Sequence, residues 1–360
     1  VCSSDLIKNG MGACCWELPI MEISSPAILD CLDELRTNAP RTDQQPCLSR
    51  EVLRELGRRG LYRLAVAKEL GGLGASAAEL WDVSEALAGA CGTTNFVQAQ
   101  HQGGIGFVAR SSNQPLVQSQ LAPMLAGERL CGVAFAHCRR PQSPLQVIRE
   151  GDGLVFDGEA PWCSGWGLLD ELVVAGRDDR GMDVYALVPA ASPGLSAQSP
   201  VKLSAMNASS TVSLKLERVR VSSERWLFEQ TAVEMAQRDF RSQLSYAALP
   251  LGLTREACRL IQERRPGSAA VEVFLTSCQD LRARALAWTG GEQEALEIRS
   301  QTNLLGQRAA QAAVVAVGGQ ANHIEHPACR LLREASFYFL TQLNEPLREA
   351  YLAKLAKASS

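Results

Sequence analysis

The feature that most constrains this chain is a change of hydrophobic period in its middle third. Between about Glu128 and Arg225 the apolar residues fall into short runs, "LCGVAFA", "LQVIRE", "LVFDGEA", "ELVVAG", "DVYALVP" and "TVSLKLERVRV". Within the last run Val212, Leu214 and Leu216 alternate with polar partners, as a strand with one buried face requires. The connections "REGDGL", "GRDDRGMD" and "AASPG" carry the Gly, Asp and Pro of hairpin turns rather than the length of crossover helices. The sequence on both sides repeats with a helical period. Helices, then strands, then helices is α+β by segregation: an N-terminal helical domain over 21–127, a middle antiparallel, barrel-like β domain over 128–230 and a C-terminal four-helix-type bundle over 231–360.

With 360 residues, 46% apolar and 21% charged, the chain can bury about two domains' worth of core. A formal net charge of −3 offers no basic excess for nucleic acid, and no apolar run reaches the roughly 18 residues of a membrane span. A cytoplasmic protein is expected. Twelve cysteines, single apart from Cys14 and Cys15, form no C-x-x-C pair or zinc spacing, so reduced and mostly buried thiols are expected and no metal. The chain starts at Val1, and "VCSSDL" resembles a translated sequencing-adapter sequence. Residues 1–20 are therefore expected to be a non-native or disordered leader.

In the N-terminal region "GASAAELWDVSEAL" predicts a helix capped by Ser76 with Glu79 reaching back, and Leu80, Val83 and Leu87 on its buried face. The next helix carries His101 and Gln102 beside Gly103 and Gly104, where either another backbone or a ligand can approach closely. In the last region the Ala-rich segment around Gly306 favours close helix contact. The turn "APWCSGWG" stands apart, because it sets Trp162 and Ser164 between two strands in a Gly-flanked loop. Either the indole plugs the core at a hairpin end, with Ser164 in an ordinary turn bond, or both are displayed to a ligand.

Over nearly all of residues 26–355 the chain resembles the acyl-CoA dehydrogenase superfamily of flavoproteins. The resemblance rests on "KELGGLGAS" (68–76), "LAGERLCGVAFAH" (125–137), "GEAPWCSGW" (158–166) and "GGQANHIEHPACRLLREA" (318–335), in that order. It implies FAD, with Trp162 covering the flat apolar ring, Ser164 meeting its polar edge, and backbone groups of Val133, Phe135 and Ala136 lining it. His137 falls where the family commonly has a glutamate. The resemblance also implies that a neighbouring subunit reaches the FAD pyrophosphate and adenine through Arg264 or Arg265 and through Gly318 and Gly319, hence a homodimer or homotetramer. Read as residues alone, "ERRPG" is equally a helix end stabilised by two cations.

The same alignment shows what this sequence lacks. Family members remove the α-proton of a thioester with a carboxylate seven residues past an Arg-Asp-Ala motif. Here the motif is Arg333-Glu334-Ala335 and the position is Gln342, or Thr341 if one gap is allowed. The alternative family position on the first bundle helix is Ser242, also no base. Asp239 and Glu345 are the acidic candidates left nearby. The loop "CRRPQSPLQV" after His137 is shorter than the family's loop that helps bind flavin and thioester.

Three functions are therefore carried forward. The first is an FAD-dependent oxidoreductase acting on the CH–CH group of an acyl thioester of CoA or a carrier protein, with catalysis reduced or relocated. The second is a two-component flavin monooxygenase on the same fold, needing no α-proton base, in which a partner reductase supplies reduced flavin and His101 or His137 handles protons. The third is a degenerate paralogue that binds flavin or thioester without turnover. The sequence leaves the substrate and the electron acceptor unspecified.

Overall fold

A computed structural model describes residues 26–357, so the expected leader at 1–20 lies outside the described residues. Five helices come first: α1 (Pro26–Asp43), α2 (Arg50–Arg58), α3 (Ala77–Ala90), α4 (Gly92–Ala109) and α5 (Gln114–Leu125). Eight strands follow: β1 (Cys131–Ala134), β2 (Leu145–Glu150), β3 (Gly153–Cys163), β4 (Glu171–Arg177), β5 (Asp183–Pro189), β6 (Leu195–Ala197), β7 (Val212–Ser222) and β8 (Trp226–Gln230). The chain then returns to helices: α6 (Ala232–Ser242), α7 (Ala248–Arg264), α8 (Ala269–Ala287), α9 (Glu292–Val317), α10 (Pro327–Tyr338) and α11 (Glu345–Lys357). None of the described helices is long and apolar enough to cross a membrane.

The strands form one sheet in the order β6-β7-β3-β2-β4-β5-β8, with β6 and β8 at its ends. Two features depart from the pattern expected of the turns. β1 pairs with β4 in parallel, Cys131 opposite Glu171, because β1 and β2 run the same way and β4, following the β2–β3 hairpin, runs that way again, also meeting β2 in parallel at Gln146 and Arg177. "AASPG" is not a hairpin either, since β6 crosses to the far end of the sheet and pairs with β7. The β2–β3 and β4–β5 connections are hairpins as read, with Gly151 and Gly181 at positive φ.

Burial follows from this arrangement. β4 is buried on both faces: Val173 and Ala175 pack with Leu87, Ile105 and Val108 of the N-terminal helices, and Leu172 and Val174 pack with Phe156, Leu214 and Val219 from β3 and β7. A strand covered on both sides reads as the continuous run "ELVVAG" rather than as an alternation. In the bundle, Leu253, Ala257 and Ile261 of α7 meet Ala309, Ala310 and Ala313 of α9 and Leu331 and Ala335 of α10. The nine described cysteines are free, and all but Cys47 and Cys329 are buried.

Small residues set how closely the helices approach. Ser76 caps α3 in a reciprocal box with Glu79, and Val83 and Leu87 are buried as read, while Leu80 is half-buried beside fully covered Trp81. α3 crosses α7 at Gly89 and Gly252, where a Cβ on Gly252 would stand 2.0 Å from the Glu85 carbonyl oxygen. Gly306 lets α9 reach Pro250 of α7, with a Cβ at 3.0 Å from the proline Cβ. Gly104 answers the question posed by the glycine pair: its missing Cβ would meet the Cys131 Sγ at 2.6 Å, so the close approach is α4 on β1.

Two alanine substitutions in helix interiors should have opposite effects. Gly252→Ala is expected to cost about 3 kcal/mol or more, because the clash is with backbone. Gly106→Ala, in α4 with nothing within 4 Å, should stabilise by up to about 1 kcal/mol through helix propensity. Urea unfolding of both variants checks the pair, and equal effects would contradict the helix crossing.

Candidate functional site

Trp162 lies near the end of β3, where the register with β7 shifts between Ala160 and Cys163. Its φ is +66°, a left-handed conformation that costs a tryptophan about 1 kcal/mol, and its side chain stays 56% exposed. The indole is therefore displayed and is not a core plug. The turn that follows is pinned from below: Gly165 N–H donates to the Ser209 carbonyl at 2.7 Å, and a Cβ on Gly165 would stand 3.4 Å from Val97 of α4.

Ser164 does not share that display. It is buried, its hydroxyl 2.7 Å from the Thr211 Oγ1, which in turn lies 2.8 Å from the Ser209 Oγ. At the end of β1, Val133 and Phe135 are half-buried and Ala136 is exposed, so this backbone edge is open. His137 turns the other way. It is buried, its Nε2–H donates to the Ala175 carbonyl of β4 at 2.8 Å, and its Nδ1 has no partner. Burial lowers its pKa to about 4, with the Arg140 and Arg177 charges acting in the same direction. The role expected of His137 in handling protons for a ligand is thus corrected, since the 136–139 turn carries its ring onto the β4 backbone. His101 is likewise structural: Nε2–H donates to the Met124 carbonyl at 3.0 Å, Nδ1 accepts the Cys131 N–H at 2.9 Å, and burial lowers its pKa to about 4.

The two alignment positions for a base meet at one side chain. Arg299 of α9, fully buried, donates through Nη1 to the Gln243 carbonyl at 2.8 Å and through Nη2 to the Thr341 carbonyl at 2.9 Å. The Ser242 and Gln342 segments are therefore clasped together, with Gln342 itself at φ +47° in the turn before α11. The acidic alternatives are not free bases. Asp239 is held by Arg139 in two hydrogen bonds of 2.6 and 3.0 Å, tying the end of β1 to α6. Glu345 opens α11 with its side chain 73% exposed and 3.2 Å from Arg348, so it faces solvent. Arg333 and Glu334 of the alignment motif are structural, Arg333 pairing with Asp43 of α1 and Glu334 with Arg330 in a fully buried pair under Gly92. Sequence reading missed Arg299, which sits among the polar residues of "EIRSQTN" with no local signal to single it out.

Arg264 and Arg265 are exposed at the end of α7, and Gly318 and Gly319 follow α9 with open space where side chains would stand. The two groups are neighbours, since the Arg264 charge helps lower the pKa of His326 in the segment after the glycines. At 1.5 Å per helical residue, Gly318 is about 28 Å along α9 from Arg299. Within one chain these cations and glycines stand at the opposite end of the bundle from Gln342.

The β domain thus displays one indole and the partly open Val133–Ala136 segment, while in the bundle Arg299 clasps two turns together. The sequence profile described as "Acyl-CoA dehydrogenase, N-terminal domain" matches residues 31–128. The chain is 22% identical over 358 residues to "Probable acyl-CoA dehydrogenase YngJ" of Bacillus subtilis (strain 168), covering 89% of this chain and 93% of that protein. Among solved structures, FkbI "for Biosynthesis of Methoxymalonyl Extender Unit" matches with TM-score 0.76 and 21% identity, over 92% of this chain and 99% of its own. A nitrososynthase from Micromonospora carbonacea var. africana matches with 0.74 and 19%, over 92% and 95%. These likenesses give the chain the acyl-CoA dehydrogenase fold, with a match to that family's N-terminal domain over residues 31–128.

Two measurements test this geometry. Both histidine pKa values are depressed, so the neutral rings stabilise the fold fully above pH 6.5 and lose that contribution as pH falls toward 4. Urea unfolding between pH 6.5 and 5 should show stability falling by up to about 1.4 kcal/mol per pH unit per histidine, with His137→Gln removing one histidine's share; a flat profile would mean that the rings protonate freely in the fold. Trp162→Gly relieves a positive φ and removes little buried surface. It should leave stability within about 1 kcal/mol while weakening FAD binding at least tenfold by fluorescence titration. A loss of several kcal/mol with FAD affinity intact would return the indole to the core.

Proposed function

We propose that the protein is an FAD-dependent oxidoreductase acting on the CH–CH group of an acyl thioester of CoA or a carrier protein, with Gln342 in place of the proton-abstracting carboxylate. The observation that carries this reading is Trp162, exposed at a strained φ where β3 ends. An apolar ring held in water at such a cost fits a planar ligand better than any role in folding.

In this reading Trp162 covers one face of the isoalloxazine, and the Val133–Ala136 backbone lines its edge. Arg264, Arg265, Gly318 and Gly319 of a second copy engage the pyrophosphate, where guanidinium forks bind phosphate oxygens and glycines admit the backbone. That division follows from the length of α9 and implies a homodimer or homotetramer. FAD, when bound, supplies a two-electron acceptor. The chain's own contribution is to orient the thioester and hold the turns at 242–243 and 341–342 in register through Arg299. The Gln342 amide can hydrogen-bond a thioester but cannot take a proton from carbon at neutral pH.

A second reading, the two-component monooxygenase, is favoured by one observation: none of the base candidates Ser242, Asp239, Gln342 and Glu345 offers a free carboxylate at the clasped turns. Likeness to a nitrososynthase is consistent with it.

Anaerobic mixing of the FAD-loaded protein with saturated acyl-CoAs separates these readings. Wild type should bleach slowly, and Gln342→Glu should accelerate bleaching by about 10²–10⁴-fold, because a carboxylate there gains a base and stands near the otherwise unpaired Arg299 charge. Fast wild-type bleaching abolished by Asp239→Asn would show that the base has moved. Inertness of both forms, with supplied reduced flavin reoxidised by oxygen through a spectral phase that free flavin lacks, would favour the monooxygenase.

A further inference from the structure

Beside the end of β1 lies an aromatic platform that the proposed chemistry does not use. Phe107 of α4, Tyr185 of β5 and Phe228 of β8 stack with centroids 4.7 to 5.8 Å apart and planes within 20° of parallel. Phe135 closes the edge at 4.9 Å from Phe107. Three guanidinium groups rest on this platform, of which Arg139, 5.4 Å from the Phe135 centroid, is paired with Asp239 and the other two are not paired with a carboxylate. Arg110 places its Cζ 4.4 Å from the Phe107 centroid and 4.1 Å from that of Phe228, and Arg238 lies 5.1 Å from Phe107 and 5.7 Å from Phe135.

Among the described residues no carboxylate is in salt-bridge range of either arginine, and the acids next to them in sequence are committed elsewhere. Asp239 is held by Arg139, Glu229 by Arg149 and Arg180, and Glu234 by the cap at Thr231. Arg238 donates through Nη1 to the Gln230 Oε1 at 2.9 Å, and that amide donates to the Tyr185 hydroxyl at 2.7 Å, while Nη2 is buried with no partner. Burial, and then the Arg238 charge, lowers the Arg110 pKa to about 10, so the two cations oppose each other. Aromatic faces offset only part of that cost. Arg110 is exposed, so the pair is reachable from solvent.

We propose that Arg110 and Arg238 form a binding site for a phosphate group carried by a small-molecule ligand. Two positive charges with no carboxylate partner complement a dianion, and guanidinium groups bind phosphate oxygens through paired N–H donors. The site stands on these contacts and does not depend on the dehydrogenase reading.

Calorimetric titration of the purified full chain at low ionic strength tests it, with pyrophosphate, coenzyme A, phosphate-free pantetheine and FAD as probes. Wild type should bind pyrophosphate, and Arg110→Gln and Arg238→Gln should each weaken that binding at least tenfold, whereas Arg54→Gln should not. Arg110 is exposed, so its variant keeps the test valid if Arg238→Gln fails to fold. The organic probes identify the source of the phosphate. Tenfold loss for coenzyme A with pantetheine and FAD unchanged assigns it to the substrate carrier, and loss for FAD assigns it to the cofactor; either supports the site. Loss for pyrophosphate alone also supports it, while failure of coenzyme A to bind even wild type counts against the thioester reading. Affinities for every probe unchanged in both variants, or no pyrophosphate binding by wild type, would overturn the proposal.

Discussion

The buried guanidinium of Arg299 is the interaction on which the geometry of the candidate site depends. Its partners are two backbone carbonyls, Gln243 and Thr341, from the segment leading into α7 and the turn before α11. A buried charge without a carboxylate is costly, and its Nε has no partner at all. The positive potential it leaves at the clasped turns makes them a place where developing negative charge on a bound molecule is stabilised, whichever chemistry follows.

Around that clasp, α4 acts as a spine joining the β domain to the bundle. Gly92 admits the Glu334 carboxylate of the Arg330–Glu334 pair, Val97 meets the turn behind Trp162, and Gly104 admits Cys131 of β1. His101 then ties β1 to the end of α5 through both ring nitrogens. The displayed indole and the open strand edge are held by the same helix, so their relative placement is set by backbone-scale contacts rather than by side-chain packing.

Much of this was legible in the sequence where the signal is local. The capping box at Ser76, the period change at the β domain, the close contact at Gly306 and the conspicuous Trp162 each follow from a few adjacent residues. What was not legible depends on partners distant in sequence. Nothing near His137 announces that its ring lies under the Ala175 carbonyl, and nothing near Ser164 announces Thr211. Asp239 could be taken for a free acid because its partner, Arg139, lies 100 residues away. β1 was read as antiparallel because strand direction is fixed by the whole path of the chain, which a short apolar run does not encode. Nothing in the residues beside Arg110, Arg238 or Arg299 marks the partners that the fold brings to them.

The hydroxyl chain of Ser164, Thr211 and Ser209 has a property that its heavy atoms conceal. Each hydroxyl can donate one hydrogen and accept another, and its hydrogen rotates freely about the C–O bond. The three can therefore be wired in either direction, and reversing all of them together moves no carbon, nitrogen or oxygen. At the Ser164 end the two wirings differ in whether an O–H or a lone pair is turned outward. The turn below Trp162 thus has a fixed shape and a reversible polarity.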